Sequence, residues 1–240
     1  MRKLVIALTL LILFDAICAN AQDLNLPGVL QSTLNGTSSL SDTDITKGLK
    51  EALKVGSENA GGRASKIDGF NKNPKIRIPF PQDAKDMRKR LIDLGMKKQV
   101  DEFELQLNRA AEDASKKAAP IFLDAIFKMS ISDGLGILKG KDDAATDYLR
   151  NSTSSQLKAV FLPIVKSSLD KVEITRYWMP LFKRYNKLPM VKKVNPDLND
   201  FVTQRAVEGL FMLVAEEEVK IRKDPAARIN GILQQVFGGK

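Results

Sequence analysis

Histidine is absent from the 240-residue chain and cysteine occurs once, at Cys18. Catalysis or binding would therefore fall to carboxylates, arginines, lysines, amides and hydroxyls. A Ser-His-Asp triad is excluded, and so is a zinc site built from imidazole or several thiolates. Asp133-Gly134-Leu135-Gly136-Ile137 holds two glycines, but not in the spacing that cradles a phosphate. No metal site and no cofactor is expected, and spacing names no catalytic residue.

The most concentrated polar seam within an apolar pattern lies in Leu107–Ser130, LNRAAEDASKKAAPIFLDAIFKMS. At about 100° per residue, Phe103, Leu107, Ala110, Ala111, Ala114 and Ala118 share one side of a helix. Glu104, Asn108, Glu112 and Ser115 line one edge of that stripe, and Arg109 and Lys116 point away. Arg109 stands at pairing distance from Glu112 or Asp113. Two readings follow. The alanines can admit a closely packed helix while Asn108 and Glu112 cap or bridge neighbouring backbone, which is the preferred reading. Alternatively the edge lines a cleft. Helices can bring distant carboxylates and arginines to such a cleft, so Arg77, Asn108, Arg109, Glu112, Asp124, Glu217, Arg222 and Arg228 form the candidate ligand-binding or hydrolytic set. Asp124 shares a face with Ile121 and Lys128, which predicts a half-buried, paired acid. Glu216–Lys220 and Glu218–Arg222 stand at i,i+4, a spacing that predicts a solvated, self-paired face.

A second chemistry is written into Arg176–Val194, RYWMPLFKRYNKLPMVKKV. Arg176, Lys183, Arg184, Lys187, Lys192 and Lys193 occur there with Trp178, the only tryptophan, and no acid. Cations interleaved with aromatics suit an anionic, partly apolar surface such as a phospholipid headgroup layer or a glycan. The alternative is a helix packed through Trp178 and Phe182 with a solvated basic back.

Helical periods supply the elements that must position these residues. Ile45, Leu49, Ala52, Leu53 and Ala60 form one face, begun by a Ser41/Asp42 cap and ended by Gly61-Gly62. Met87, Leu91 and Leu94 precede a stop at Gly95. The stripe Val100–Ala118 is followed by Ile121, Phe122, Ala125, Ile126 and Met129, begun by Pro120. Thr153 and Gln156, in capping-box spacing, open the run Leu157–Leu169, which Pro163 is expected to bend. Ile174–Tyr185 comes next, and the longest helix is expected from about Asp197 through Arg222. Asp224-Pro225 caps a last helix carrying Ile229, Ile232, Leu233, Val236 and Phe237. Only Asn73–Pro81 breaks the pattern: Ile76 and Ile78 alternate with Lys75 and Arg77 between Pro74, Pro79 and Pro81. Those prolines confine it to an edge strand or an extended strap over helices. The fold class is all-α, one multi-helix domain over 41–240 with a Pro-flanked extended segment at 74–81.

The N-terminus reads as an export signal. Arg2 and Lys3 precede an apolar run, Leu4–Phe14, too short for a comfortable membrane span, and Ala19-Asn20-Ala21 offers a small-x-small cleavage site. Cleavage after Ala21 gives a signal peptide over 1–21 and a lead-in over 22–40 rich in Gly, Ser, Thr and Asn. A lipoprotein anchored through Cys18 is the alternative, disfavoured by Asp15 and Ile17 in the preceding positions. The whole chain carries a net charge of +9, and losing Arg2, Lys3 and Asp15 with the leader leaves +8. No apolar run beyond the leader approaches membrane-spanning length. The expected partners of an exported basic protein are an anionic lipid or glycan surface or another envelope protein; nucleic acid is not expected.

Ordered motifs along the chain carry a resemblance. They are Asp68-Gly69-Phe70, Ile76-Arg77-Ile78-Pro79, Asn108-Arg109-Ala110-Ala111-Glu112, Asp124-Ala125-Ile126 and Met129-Ser130. Ala145-Thr146-Asp147-Tyr148, Phe201-Val202-Thr203, Gly209-Leu210-Phe211, Glu217-Glu218 and Ile221-Arg222 follow, and then Pro225-Ala226-Ala227-Arg228 with Val236-Phe237. In this order they resemble the bacterial domain-of-unknown-function family 4197 over nearly all of Asp42–Gly238. Gly134 departs from the pattern, where alanine is more usual. The resemblance implies an exported helical bacterial protein without an assigned activity, and it supplies no catalytic residue. The expected function is a non-enzymatic binding or structural module of the cell envelope, with the carboxylate/arginine pocket as the alternative.

Overall fold

The structure is a computed structural model that describes residues 41–171, 174–191 and 198–224, together with 228, 231 and 234. The expected leader, its cleavage after Ala21, the Cys18 alternative and the lead-in lie outside the described residues, as does most of the expected last helix. The described residues form eight α-helices and no strand. They are α1 (Asp42–Ser65), α2 (Lys85–Asp93), α3 (Lys97–Ser115), α4 (Ala118–Lys128), α5 (Ile131–Lys139), α6 (Ala144–Lys171), α7 (Ile174–Asn186) and α8 (Asn199–Lys223). A single 3-10 turn, Gln82–Ala84, leads into α2. The all-α class read from periodicity is correct.

Helix boundaries follow caps where caps exist. The Ser41 hydroxyl accepts from the Asp44 N–H at the start of α1, and Asp42 and Asp44 sit favourably against the positive end of the helix. Ser130 and Asp133 close a reciprocal capping box on α5. Several boundaries differ from the sequence reading. Gly61-Gly62 does not end α1, which continues to Ser65; Ala60 and Ala64, wholly buried on either side, offset a helical glycine penalty of about 1 kcal/mol each. Thr153 caps nothing, because α6 begins at Ala144 and the Thr153 hydroxyl donates to the Leu149 carbonyl inside it. Helix α6 also runs on through Pro163, anchored by buried Leu157, Phe161, Val165 and Leu169, and at 28 residues it exceeds α8 at 25. Leu94 belongs to no apolar face. Helix α2 ends at Asp93, the chain turns at Gly95 (φ 79°), and Leu94 is exposed.

Helix α8 is the centre of the packing, with α6, α1 and α3 around it. Its buried residues occupy more than one stripe, including Val202, Ala206, Leu210, Phe211, Leu213 and Val214, as expected of a helix enclosed on several sides. Phe122 meets Phe211 edge-on at 5.7 Å, and the Arg150 guanidinium lies 4.6 Å over the Phe211 ring. Helix α5 is continuous through Gly134. Thr46 of α1 fills the space that a Cβ there would enter, with contacts of 2.9 Å.

The expected extended segment is a strap that is turned over 74–76, where the Ile76 and Arg77 N–H groups donate to the Asn73 carbonyl, and is free of regular structure only from Arg77 onward. Residues 66–81 leave α1 through a tight corner and cross the domain with Phe70, Ile76, Ile78 and Phe80 buried and Lys75 and Arg77 exposed. Phe80 packs on Phe103 of α3, ring centres 5.1 Å apart. At the corner, Asp68 takes φ 67°, and Gly69 lies so close to α1 that a Cβ would stand 2.3 Å from the Arg63 carbonyl oxygen. The middle of the strap runs over Gly209 of α8, where a Cβ would meet Phe70 at 2.7 Å and Ile76 at 3.2 Å. Gly209→Ala should therefore overpack this contact. We expect a loss of about 1–3 kcal/mol in unfolding free energy by urea denaturation, and a gain of up to about 1 kcal/mol for Gly62→Ala, whose Cβ would touch nothing within 4 Å inside α1.

Candidate functional site

A strap crossing helices has no ladder partner for its backbone, and buried N–H and C=O groups must still be paired. The polar edge of α3 supplies the partners. Glu104, Asn108 and Glu112 stand at i, i+4 and i+8, each buried. The Ile78 N–H donates to Asn108 Oδ1 (2.8 Å), and Asn108 Nδ2 donates to the Ile78 carbonyl (2.9 Å) and to the Glu104 carbonyl (2.7 Å). One carboxamide thus does for Ile78 what a neighbouring strand would do. Glu112 Oε1 accepts from the successive N–H groups of Phe70 (3.1 Å) and Asn71 (3.2 Å). Its Oε2 accepts from Arg109 (2.7 Å), whose other nitrogen donates to Asp68 (2.8 Å) at the corner. Glu104, 3% exposed, accepts from Arg77 of the strap and Arg88 of α2, both at 2.7 Å.

A second carboxylate ties helix ends together. Glu218 of α8 accepts from the Ala145 N–H (2.9 Å), the Thr146 N–H (2.8 Å) and the Thr146 hydroxyl (2.8 Å). It therefore caps α6 from another helix, at the positive end of the dipole. Arg222, almost buried, donates to Glu218 (2.8 Å) and to the Ile137 carbonyl near the end of α5 (2.9 Å). Arg228 donates to the Ile221 (3.3 Å) and Arg222 (2.9 Å) carbonyls at the end of α8. Glu217 accepts from Arg63 (3.0 Å) and Asn59 (3.4 Å) of α1, and Glu216 bridges Arg63 and Lys75.

The eight pocket candidates are thus distributed over distinct contacts. Asn108, Arg109 and Glu112 meet the strap, Arg77 joins them through Glu104, and Glu217, Arg222 and Arg228 serve α8 and its neighbours. Asp124 is not half-buried; it lies exposed and pairs only with Lys128 of its own helix. The expected solvated face at Glu216–Arg222 is corrected as well: α8 is enclosed on several sides, so Glu217 and Glu218 are each 6% exposed, and Glu216 pairs with Arg63 and Lys75. The cavity beside Glu218 and Arg222 is about 10 Å³, no larger than a water molecule. Asp68, Arg63, Arg88 and Glu218 were not among the candidates. Their signal would have been the need to pair a strap and a helix start, visible only once those elements are placed.

On the far side of α3, helix α7 packs against α2, α3 and α6. Lys183, Arg184 and Lys187 are exposed, while Tyr185 is buried. The side chains of Arg176 and Trp178 lie outside the described residues, as do Lys192 and Lys193 altogether.

The fold and these contacts define an all-α domain whose buried acids pair with its own backbone and arginines, with a basic helix exposed on one face. The chain belongs to the family described as Protein of unknown function (DUF4197), whose model matches residues 39–238. No curated protein and no solved structure matches the chain.

Two outcomes test the strap contacts. Asn108→Leu removes both partners of the buried Ile78 peptide groups, so stability should fall by about 2–5 kcal/mol in urea unfolding. Lys72 above all, then Asn71 and Arg109, hold the Asp68 carboxyl down at about 2, against an ordinary 3.8. A depressed carboxylate stabilises the fold fully above its unfolded value, and that contribution disappears as pH falls from about 4 towards 2. A carboxylate NMR titration should place the Asp68 midpoint near 2 and move it upward in Lys72→Ala.

Proposed function

We propose that this domain is a non-enzymatic envelope module, exported by its leader, that docks on an anionic surface through α7 and the basic segment after it. The observation that carries this reading is the state of the cations there. Lys183, Arg184 and Lys187 are exposed and have no acid partner, in a run whose sequence holds no acid from Ile174 to Pro196. The arginines beside the strap and α8 are by contrast engaged by acids, as Arg63, Arg77, Arg109 and Arg222 are. Uncompensated charge on one face raises the local potential and attracts an anionic layer, each cation near such a surface contributing about 1 kcal/mol. No helix among the described residues is long and apolar enough to cross a membrane. The alternative pocket of carboxylates and arginines draws less support, because Glu112 already accepts three hydrogen bonds and Glu217 two within the domain, while exposed Asp124 pairs with Lys128 of its own helix.

Cosedimentation with phosphatidylglycerol-containing vesicles tests the reading. Retention should weaken as salt rises. Charge reversal at Lys183, Arg184, Lys192 and Lys193 should reduce it at least tenfold, given about 1 kcal/mol per basic residue. Unchanged binding by that variant contradicts a basic docking face.

A further inference from the structure

The same side of the domain contains a groove whose charged groups are not in contact with one another. It lies between α2 and the C-terminal end of α7, with a volume of about 380 Å³. Helix α2 contributes Asp86, Lys89, Arg90 and Asp93 to its lining, all exposed. These four stand at i, i+3, i+4 and i+7 on one side of the helix, where Asp86 could pair with either cation and Asp93 likewise. No such pair forms, and none of the four has another partner. At some places with this spacing the pairs do close, as in Asp68–Lys72, Asp124–Lys128 and Asp113–Lys116. Tyr185 and Val191 form the opposite wall, and Met190, wholly exposed and held at φ 58°, stands beside them.

We propose that this groove binds the headgroup of a phospholipid carrying both a phosphate and a primary ammonium, as phosphatidylethanolamine does. The inference rests on the reading of α7 as the docking face. The four charged lining groups sum to zero, which suits a zwitterion better than a simple anion. Lys89 and Arg90 are adjacent and donor-only, matching a phosphate. Asp86 and Asp93 lie one turn away on either side and accept N–H bonds from an ammonium, which a trimethylated choline nitrogen does not have to offer. Met190 supplies a flexible apolar contact at the rim, where the glycerol and the first methylenes of the lipid would emerge. Its left-handed backbone is uncommon for a non-glycine residue, and such conformations concentrate where ligands are held. Lys183, Arg184 and Lys187 would face the surrounding anionic lipids.

The test compares two vesicle compositions with the same phosphatidylglycerol content, the balance being phosphatidylethanolamine in one and phosphatidylcholine in the other. The purified protein should bind the ethanolamine vesicles roughly three- to tenfold more tightly, the scale of one or two partly exposed charge pairs. Asp86→Asn with Asp93→Asn should bring that affinity down to the choline level, while Lys183→Glu with Arg184→Glu should weaken binding to both vesicles alike. Circular dichroism checks that each variant is folded, which α2 surface substitutions should be. Equal affinity of the wild type for both compositions, with salt sensitivity intact, overturns the headgroup site and leaves the docking face standing. Loss of any dependence on phosphatidylglycerol overturns the docking face itself. Binding of free glycerophosphoethanolamine as tight as that of the vesicles overturns the assignment to a lipid and indicates a soluble ligand of the same chemistry.

Discussion

An irregular strap laid across helices presents peptide groups that no helix and no strand will pair, and its own turns pair only some of them. In this domain that requirement is met by side chains of α3, and the arrangement of everything nearby depends on it. Asn108 holds both polar groups of Ile78, Glu112 gathers the N–H groups of Phe70 and Asn71, and Glu104 anchors the guanidinium groups of Arg77 and Arg88. Between those anchors the strap lowers Phe70, Ile76, Ile78 and Phe80 into the core. Buried carboxylates are costly unless fully partnered. Each of these is partnered two or three times, which binds the strap to one register over α3.

The second dependency is at α8. A helix enclosed on several sides places most of its residues against neighbours, so acids on its covered faces must find buried partners. Glu218 finds the start of α6, and Arg222 the end of α5; Glu217 and Glu216 meet Arg63 of α1. The acids of α3 and α8 that face the core pair with backbone and arginine, while Lys183, Arg184 and Lys187 of α7 lie on the surface without an acid partner. The motifs on which the family resemblance rests fall largely on these contacts: Asp68-Gly69-Phe70 at the corner, Ile76–Pro79 on the strap, Asn108–Glu112 beneath it, Ala145-Thr146 and Glu217-Glu218 at the α6–α8 junction.

The legible parts of the fold were those with a one-dimensional signature. Apolar periodicity gave the helices, and the alternation of Ile76 and Ile78 with Lys75 and Arg77 between prolines gave the strap. The seam was legible in part: Glu104, Asn108 and Glu112 read as one polar edge, with backbone bridging as the preferred role, but their partners outside α3 lay 16 to 42 residues away and carried no mark. Glu218–Arg222 misled because i,i+4 spacing looks the same on a solvated face and on an enclosed one. Thr153 misled because a hydroxyl that bonds back to its own helix satisfies the same local pattern as a cap. In both cases the deciding information is which surface another helix covers, and that is a property of the assembled domain.

The central claim is that α3 side chains hold the strap as firmly as secondary structure would. Native-state hydrogen exchange of the Ile78 amide tests this most directly, since that N–H has a carboxamide, not a backbone carbonyl, as its acceptor. If the claim holds, Ile78 exchanges only through global unfolding, with protection equal to the slowest amides of α8. Exchange of Ile78 at the rate of an exposed loop amide, while α8 stays protected, would contradict it.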